Sequence, residues 1–288
     1  MTMIDAHHHF WDPGRADYPW MTDELAAIRR PFGPDDLRPL IEAAGIERTI
    51  LVQTRSSPEE TWEFLATAAA ERFVAGVVGW VDLTDQAVAG ALARLREGAG
   101  GERLVAIRHQ VHDEPDPAWL DRPDVRRGLR AVGAAGLAYD LLVRARELPA
   151  AVAVARDMPD LRLVVDHIAK PPIATGELEP WASRLRALAA LPNVTCKLSG
   201  MVTEADWASW TPGDLQPYVD VVLDAFGPAR LMFGSDWPVC LLAAGYDRVV
   251  GTARELLAGL SPSERAHVFG GTAAEVYGLA ERSAALND

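Results

Sequence analysis

The residues most able to carry chemistry stand at the start of the chain, in the segment MIDAHHHFW. Three consecutive histidines, His7 to His9, follow an apolar-alternating stretch and precede the aromatic pair Phe10-Trp11. This setting is typical of a strand end, whereas a purification tag carries a longer histidine run in a polar stretch. Side chains alternate between the faces of a strand, so His7 and His9 point the same way and His8 points the other way. Such an imidazole pair can hold a metal ion or a water molecule, or polarise a carbonyl group. The alternative is that both histidines are purely structural, but burying two neighbouring imidazoles is energetically costly.

Polar and titratable side chains follow most of the other apolar runs of the chain, at the points where those runs end. A chain without a site would scatter these groups over helix faces. For any one of them a structural ion pair is the alternative, but it does not account for the whole set. Their position at run ends predicts that they share one site with the histidines. They are Gln53 after the second run, Arg108 and His109 after the fourth, Asp140 in the fifth, His167 and Lys170 after the sixth, Lys197 in the seventh and Asp236 after the eighth.

Eight short apolar, β-branched runs predict the strands that position these residues. Stretches with helical spacing lie between them, such as TWEFLATAAAERF and LPAAVAVARDMP. Strands that alternate with helices pair in parallel through right-handed crossovers, so the pattern favours an α/β fold of the (β/α)8, TIM-like barrel type, whose active site lies at the carboxyl ends of the strands. A doubly wound open sheet usually carries a Gly-rich phosphate turn after its first strand, and none is present. The runs are MIDAH, RTILVQ, VAGVVGW, LVAIRHQ, LAYDLLV, LRLVVDHI, NVTCKLSG and RLMFGSDWP.

The chain is predicted to form a single domain over residues 1–288. No linker rich in Pro, Ser or Gly divides it, and 49% of its residues are apolar, which is ample for a continuous core. The longest connection, residues 12–47, follows the first strand and holds DPGRADYPWM and RRPFGPDDL, which are too rich in proline to be wholly helical. A long connection beside a barrel mouth is typical of an active-site lid, so we expect this insertion to form one.

Charge and cysteine content narrow the classes of partner. The formal net charge of -13 argues against nucleic acid and against an anionic membrane surface, both of which attract basic faces. Cys196 and Cys240 lie far apart and in no metal-binding spacing, which favours a reducing compartment. No signal peptide or membrane span is evident, so we expect a cytoplasmic protein, monomeric or homodimeric, that acts on a small molecule.

Six blocks of the sequence together resemble one known family. They are IDAHHHFW, YPWM, RHQVHDEPD, DHIAKP, CKLSG and LMFGSDWPVC, and the resemblance extends over nearly the whole chain. The chain resembles the amidohydrolase superfamily, and specifically its branch of sugar-acid lactonases. The resemblance implies a distorted (β/α)8 barrel that opens lactones of sugar acids. It assigns the His-x-His pair to His7 and His9, the strand-six histidine to His167 and the strand-eight aspartate to Asp236.

The resemblance also bears on metal content. Metal-rich members of the superfamily usually place a carboxylated lysine or a glutamate on strand four and a histidine on strand five. Here strand four offers Arg108 and His109, and strand five offers Tyr139-Asp140. A binuclear centre is therefore not expected, and the lactonase branch implies that no metal is obligatory. A single, non-essential Zn²⁺ bound by His7, His9, His167 and Asp236 is compatible with mixed nitrogen and oxygen ligation.

For lactone hydrolysis these residues have definite expected roles. Asp236 is the expected general base that takes a proton from the attacking water, while His167, His7 and His9 hold that water or polarise the carbonyl. Arg108, Lys170 and Lys197 are expected to stabilise the developing negative charge. A 6-deoxy sugar lactone of the fucose type is the expected substrate.

Aromatic residues are expected to frame the sugar. Trp11, Trp80 and Trp237 fall at or just after strand ends, where flat rings suit the apolar faces of a sugar; core packing is the alternative. His109 and Gln53 are further candidates for substrate contact. Five other tryptophans are expected to be packing residues: Trp62, Trp119, Trp181, Trp207 and Trp210.

Three other functions remain open from the sequence. The same barrel supports metal-dependent hydrolases or deaminases, and it supports non-oxidative decarboxylases with similar strand-end histidines. A sugar-binding protein without catalysis is the third, although binding alone needs no base at Asp236. The stereochemistry and ring size of the lactone depend on loop hydrogen bonds that the sequence leaves undetermined.

Overall fold

Eight parallel strands form one sheet in which each strand pairs with the next in chain order. The computed structural model describes residues 2–279. The first strand meets the segment after the last through a parallel bridge between His8 and Trp237, so the sheet curls into a barrel. The predicted (β/α)8 fold is confirmed. The strands are β1 (Ile4–His8), β2 (Arg48–Val52), β3 (Val74–Gly79), β4 (Leu104–His109), β5 (Ala138–Leu141), β6 (Leu163–Val165), β7 (Val194–Leu198) and β8 (Leu231–Phe233).

Helices connect the strands on the outside of the barrel. No helix in residues 2–279 has both the length and the apolar character needed to cross a bilayer. The helices are α1 (Pro34–Ala44), α2 (Pro58–Ala70), α3 (Val88–Glu97), α4 (Pro123–Ala134), α5 (Leu148–Asp157), α6 (Trp181–Ala189), α7 (Met201–Glu204), α8 (Pro212–Phe226), α9 (Tyr246–Leu256), α10 (Pro262–Ala266) and α11 (Thr272–Val276).

Sequence periodicity explains how these elements pack. Strand β3 is a continuous apolar run and every residue in it is buried, as expected when helices cover the outer face of a parallel sheet. Helix α4 buries Val125, Leu129 and Val132, which recur at helical spacing on the face toward the sheet. Each such side chain contributes about 1.5–3 kcal/mol when it is fully buried. The barrel is therefore held by the hydrophobic effect, and the strand ends are free to carry polar groups.

The connection after β1 has two parts with different surroundings. Trp11 and Phe32 exchange backbone hydrogen bonds of 3.1 and 2.9 Å, which close residues 12–31 into a loop. The Trp11 indole N–H donates to the carbonyl oxygens of Ile28 and Arg30 inside that loop. Helix α1 then packs against α9 as an ordinary crossover helix. Within the segment predicted as a lid, only residues 12–31, here called the mouth loop, belong to the barrel mouth, and their role as a lid stays a prediction.

His8 points away from the site and into the barrel wall. Its side chain is fully buried, and Nε2 lies 2.8 Å from the Thr49 hydroxyl oxygen. Burial lowers the pKa of His8 to about 3, and the neighbouring His9 acts in the same direction. His8 thus stays neutral in the folded protein over a pH range in which an unfolded chain would protonate it.

This difference predicts how stability depends on pH. Between pH 6.5 and about 3 the unfolded state binds one more proton at His8, so this residue makes the free energy of unfolding fall as pH falls. The slope from one such group is at most about 1.4 kcal/mol per pH unit. We expect His8→Gln, which can keep the bond to Thr49, to lose less stability than the wild type between pH 7 and 5 in urea unfolding. The exposed His267→Gln is the control, and an unchanged slope in His8→Gln would contradict the prediction.

Candidate active site

Four side chains from three strand ends meet in one buried cluster. His7 Nε2 lies 3.2 Å from His9 Nε2 and 3.8 Å from Asp236 Oδ1. The same Asp236 oxygen lies 3.3 Å from His9 Nε2 and 3.8 Å from His167 Nε2. The predicted convergence of these four residues is therefore present in the structure, whereas their chemical roles stay predictions.

A cavity of about 450 Å³ opens beside this cluster at the carboxyl ends of the strands. His9, His167 and Asp236 line its inner wall, together with Arg108 and Lys170. The Lys170 ammonium forms an ion pair with Glu204, which also lines the cavity. The cavity has the volume of a typical small-molecule site, and it brings the Asp236 carboxylate together with Arg108 and the Lys170–Glu204 ion pair.

Unusual backbone conformations place two of these residues. Four consecutive residues, His167 to Lys170, have φ values of 52°, 47°, 60° and 47°, in the left-handed region. Asp236 also has a positive φ, of 58°. This conformation costs roughly 1–2 kcal/mol for each L-residue that has a Cβ. The left-handed turn is held by the Trp181 indole, which donates to the Ile168 carbonyl oxygen at 2.7 Å. Backbone strain of this kind is concentrated at functional sites, where the surrounding structure holds a side chain in a precise position.

Burial sets the protonation states of the cluster. Burial lowers the pKa of His7 well below its ordinary value of 6.5, and Lys197 acts in the same direction. Burial also lowers the pKa of His167 to about 4, although Asp236 opposes this. Burial would raise the pKa of Asp236, but His167 and His9 outweigh it and hold that pKa below 3.8. At neutral pH the cluster therefore combines neutral imidazoles at His7 and His167 with an ionised carboxylate.

The backbone fixes the tautomer of His9. Its Nδ1 lies 2.8 Å from the carbonyl oxygen of Val52, which can only accept a hydrogen bond. In neutral His9 the hydrogen is therefore on Nδ1, and Nε2 presents a lone pair toward Asp236. Two acceptors 3.3 Å apart favour a proton or a cation between them.

Two cations and two carboxylates lie buried beneath the cluster, and we call them the core ion cluster. The Lys197 ammonium lies 2.6 Å from an Asp140 oxygen and 3.0 Å from an Asp166 oxygen. Arg108 donates to the other Asp166 oxygen at 2.9 Å. Lys197 also lies 3.2 Å from His7 Nδ1, so the ion cluster contacts the site directly. All four charged side chains are almost fully buried, and their formal charges balance.

These positions correct part of the predicted substrate contacts. Lys197 and Gln53 are fully buried beneath the cavity and do not line it. His109 is held aside, since it accepts from the Trp80 indole at 3.0 Å, donates to Glu114 at 2.8 Å and stacks on Trp119. Arg108 and Lys170 do line the cavity, as predicted.

The predicted aromatic frame is also corrected. Trp80 is bonded to His109, Trp237 packs between Phe10 and Phe32, and Trp11 lies behind His9, so none of the three lines the cavity. Their position at strand ends placed them near the site but one layer behind its surface.

The cavity contains further residues that sequence reasoning missed. Trp20 and Trp207 supply its aromatic surface, and His112 and Arg144 line it after β4 and β5. The sequence predicts Trp207 to be a packing residue, and its place in the cavity wall corrects this prediction. Trp20 and His112 stand inside the blocks YPWM and RHQVHDEPD, which were the available signal for them.

The cluster also has the donor set and spacing of a metal site. His7, His9 and Asp236 form one buried group, and His7, Asp166 and His167 form another, with the ligand atoms of each group within 4.8 Å of one another. Ligands on a tetrahedral Zn²⁺ lie about 3.3 Å apart, since each bond is about 2.0–2.1 Å long. The observed separations of 3.2, 3.3 and 3.8 Å are close to this value, so the residues fit a single divalent ion.

The fold and this cluster define the class of the protein. The sequence profile of the family described as "Amidohydrolase" matches residues 4–279, and the chain belongs to that family. The predicted resemblance is confirmed.

Individual relatives match over nearly the whole chain. A protein of Burkholderia multivorans named L-fucono-1,5-lactonase is 43% identical in an alignment of 289 positions. The alignment covers 96% of this chain and 96% of the relative. A protein of Burkholderia ambifaria with the same name is 44% identical and covers 95% of this chain and 94% of its own length. The crystal structure of an amidohydrolase from Burkholderia multivorans with bound zinc is 43% identical. It superposes with a TM-score of 0.90 over 96% of this chain and 99% of that one.

Removal of one charge from the core ion cluster should destabilise the protein. We expect Lys197→Met to lower the free energy of unfolding by about 3–5 kcal/mol, because Asp140 and Asp166 would keep buried charges without their ammonium partner. Urea unfolding followed by circular dichroism measures the loss. Adding Asp140→Asn to the same variant restores the charge balance and should recover part of it. A full loss that persists in the double variant would contradict this explanation.

Proposed function

We propose that the protein hydrolyses a lactone of a sugar acid to the free aldonic acid, with L-fucono-1,5-lactone or a related aldonolactone as the substrate. The observation that carries the proposal is the convergence of ionised Asp236 with three buried histidines beside a cavity of about 450 Å³. The two relatives named L-fucono-1,5-lactonase, 43% and 44% identical to this chain, support the choice of substrate.

Asp236 begins the reaction as a general base. Its lowered pKa keeps the carboxylate ionised throughout the neutral range, so it can take a proton from water as the water oxygen attacks the lactone carbonyl carbon. The Nε2 lone pair of His9 and neutral His167 face the same point and orient that water. A lactone is an activated ester, which makes a carboxylate base adequate.

Two cations stabilise the lactone carbonyl oxygen as it becomes negatively charged. Arg108 and Lys170 line the cavity near Asp236 and stabilise the tetrahedral oxyanion. Collapse of that intermediate breaks the bond to the ring oxygen, which leaves as an alkoxide and takes the proton held by Asp236. The product is a hydroxy acid that ionises and releases one proton to solvent.

The histidine and aspartate ligands described above would also hold a zinc ion. His7, His9 and Asp236 form one group with suitable spacing, and His167 Nε2 lies 3.8 Å from the same Asp236 oxygen, so these side chains would supply the mixed nitrogen and oxygen donors that zinc accepts. When bound there, zinc polarises a carbonyl and lowers the pKa of water. We propose that this ion is not required, because the chain itself supplies both the base and the cations.

The function is tested with a panel of freshly prepared 1,4- and 1,5-aldonolactones, with proton release as the measurement. We expect turnover of a 6-deoxy lactone of the fucose type, and we expect Asp236→Asn to lower kcat/KM by about 10²–10⁴-fold because the amide cannot accept a proton. Chelator-treated protein, with its zinc content measured directly, should retain the rate.

Each competing function gives a different result in this assay. No turnover on any lactone would overturn the substrate assignment. Loss of the rate on chelation, restored by zinc alone, would overturn the metal-independent part and favour a metal-dependent hydrolase. Proton uptake with release of CO₂ from a carboxylated substrate would indicate a decarboxylase. Unchanged turnover in Asp236→Asn would remove the proposed base.

A close backbone approach positions His167. Gly200 has a φ of 63°, and a Cβ at this position would lie 2.5 Å from His167 Nδ1. That nitrogen lies 2.9 Å from the Ser199 hydroxyl oxygen. Glycine is therefore needed at Gly200 both for its conformation and for the space it leaves.

This approach predicts a loss of activity that is separable from a loss of stability. We expect Gly200→Ala to displace His167 and lower kcat/KM by about 100-fold, since small misplacements at a reacting centre have effects of this size. Gly45→Ala is the matched control, because Gly45 has a φ of 71° with nothing within 4 Å of an added Cβ. Both variants should lose about 1–2 kcal/mol of stability because a Cβ is unfavourable at positive φ, and Gly200→Ala should lose more because of the contact with His167. Equal activity in the two variants would contradict the positioning role.

A further inference from the structure

The cavity wall contributed by the mouth loop carries an unpaired hydrogen-bond donor. The Trp20 indole nitrogen is buried and has no hydrogen-bond partner among residues 2–279. The Trp20 ring is packed edge-on against Trp11 and Tyr18, at centroid distances of 5.4 and 6.5 Å. The indole lines the cavity, and no side chain or backbone group of residues 2–279 supplies an acceptor for its N–H group. A buried donor without a partner costs free energy, and a bound acceptor would recover it.

The cavity wall also carries an unpaired acceptor, at His112. Its Nε2 lies 3.5 Å from an oxygen of the Asp113 carboxylate, and this negative charge favours the tautomer with the hydrogen on Nε2. Its Nδ1 is buried without a partner in the described chain. Burial lowers the pKa of His112 to about 3, and the nearby cations Lys170 and Arg144 act in the same direction. Neutral His112 therefore presents an unpaired Nδ1 lone pair.

A second tryptophan in the same cavity differs in this respect. Trp207 lines the cavity, but its indole N–H already donates to the Thr203 carbonyl oxygen at 2.9 Å. Trp207 can offer a ligand its ring face and no free donor. The chain thus supplies its own comparison between an aromatic ring with a free donor and one without.

We propose that Trp20 and His112 form a hydroxyl-recognition pair, in which the Trp20 indole donates to, and His112 Nδ1 accepts from, the hydroxyl groups of a bound polyhydroxylated acid or its lactone. This inference rests on the proposed function and specifies the substrate class of that site. A hydroxyl group both donates and accepts, so a sugar acid satisfies both atoms. An unsubstituted alkyl lactone leaves both unpaired, and a site built this way rejects it. Trp20 and His112 are thus specificity-determining residues, and they lie apart from the base at Asp236.

Calorimetric binding tests the pair without requiring turnover. The probes are L-fuconate and hexanoate, which share a six-carbon chain and a carboxylate but differ in hydroxyl groups. We expect Trp20→Phe and His112→Phe each to weaken L-fuconate binding about tenfold and to leave hexanoate binding unchanged. His112→Asn keeps an acceptor near the Nδ1 position and should recover most of the affinity. Trp207→Phe should not change the ratio between the two probes.

Kinetics with a matched pair of lactones completes the test. The ratio of kcat/KM for L-fucono-1,5-lactone to that for δ-valerolactone should fall about tenfold in Trp20→Phe and in His112→Phe, and not in Trp207→Phe. Equal losses for both lactones, or a wild-type protein that binds L-fuconate no better than hexanoate, would overturn the recognition pair. Selective L-fuconate binding that depends on Trp20 and His112, in a protein that hydrolyses no lactone, would support the pair and overturn the proposed function.

Discussion

Two carboxylates and two cations, buried together beneath the barrel mouth, constrain where the other polar groups of the site can lie. Charges without water are tolerated only when they are paired, so Lys197 must stay between Asp140 and Asp166. Lys197 in turn contacts His7, and Arg108 reaches from Asp166 into the cavity. The site therefore lies on an ion network whose geometry cannot change without leaving a buried charge unpaired.

The same network joins the site to the last described part of the chain. The Tyr277 hydroxyl, just after α11, donates to Asp140 at 2.9 Å. Above the network the polar character changes, because His9 Nε2 and the Asp236 carboxylate present acceptor atoms toward one point beside His7. Cations below and acceptors above give a site that can hold a water molecule or a metal ion at a single place. This arrangement explains why the zinc-compatible ligand set and the proposed general base share the same side chains.

Much of this architecture was predictable from the sequence, because parallel barrels place apolar runs and polar ends at fixed positions. Seven of the eight strands lie within the runs that predicted them, and β1 extends one residue past its run, while His7, His9, His167 and Asp236 were identified from their places at the run ends. The depth of a side chain below the cavity surface was not predictable. The strand period assigns a face, but it does not distinguish Lys197, one layer below the cavity, from Arg108 at its surface.

The site residues that lie in loops were also not predicted, for a different reason. Trp20, His112 and Trp207 lie in segments without periodicity, so no pattern separates a cavity wall from ordinary packing. His109 was assigned to the site because it ends β4, yet stacking on Trp119 from a later loop turns it away. Contacts between loops that are distant in sequence depend on the assembled barrel.

The backbone pairing of Trp11 with Phe32 has a consequence for how such a protein could diversify. The two ends of the mouth loop are fastened to each other, so residues 12–31 form a closed excursion from an otherwise regular barrel. A closed excursion can be exchanged for another sequence of different length without moving the strands it leaves and rejoins. New ligand preferences could then be acquired in a segment of about twenty residues, while the buried cluster of histidines and Asp236 at the strand ends stays in place.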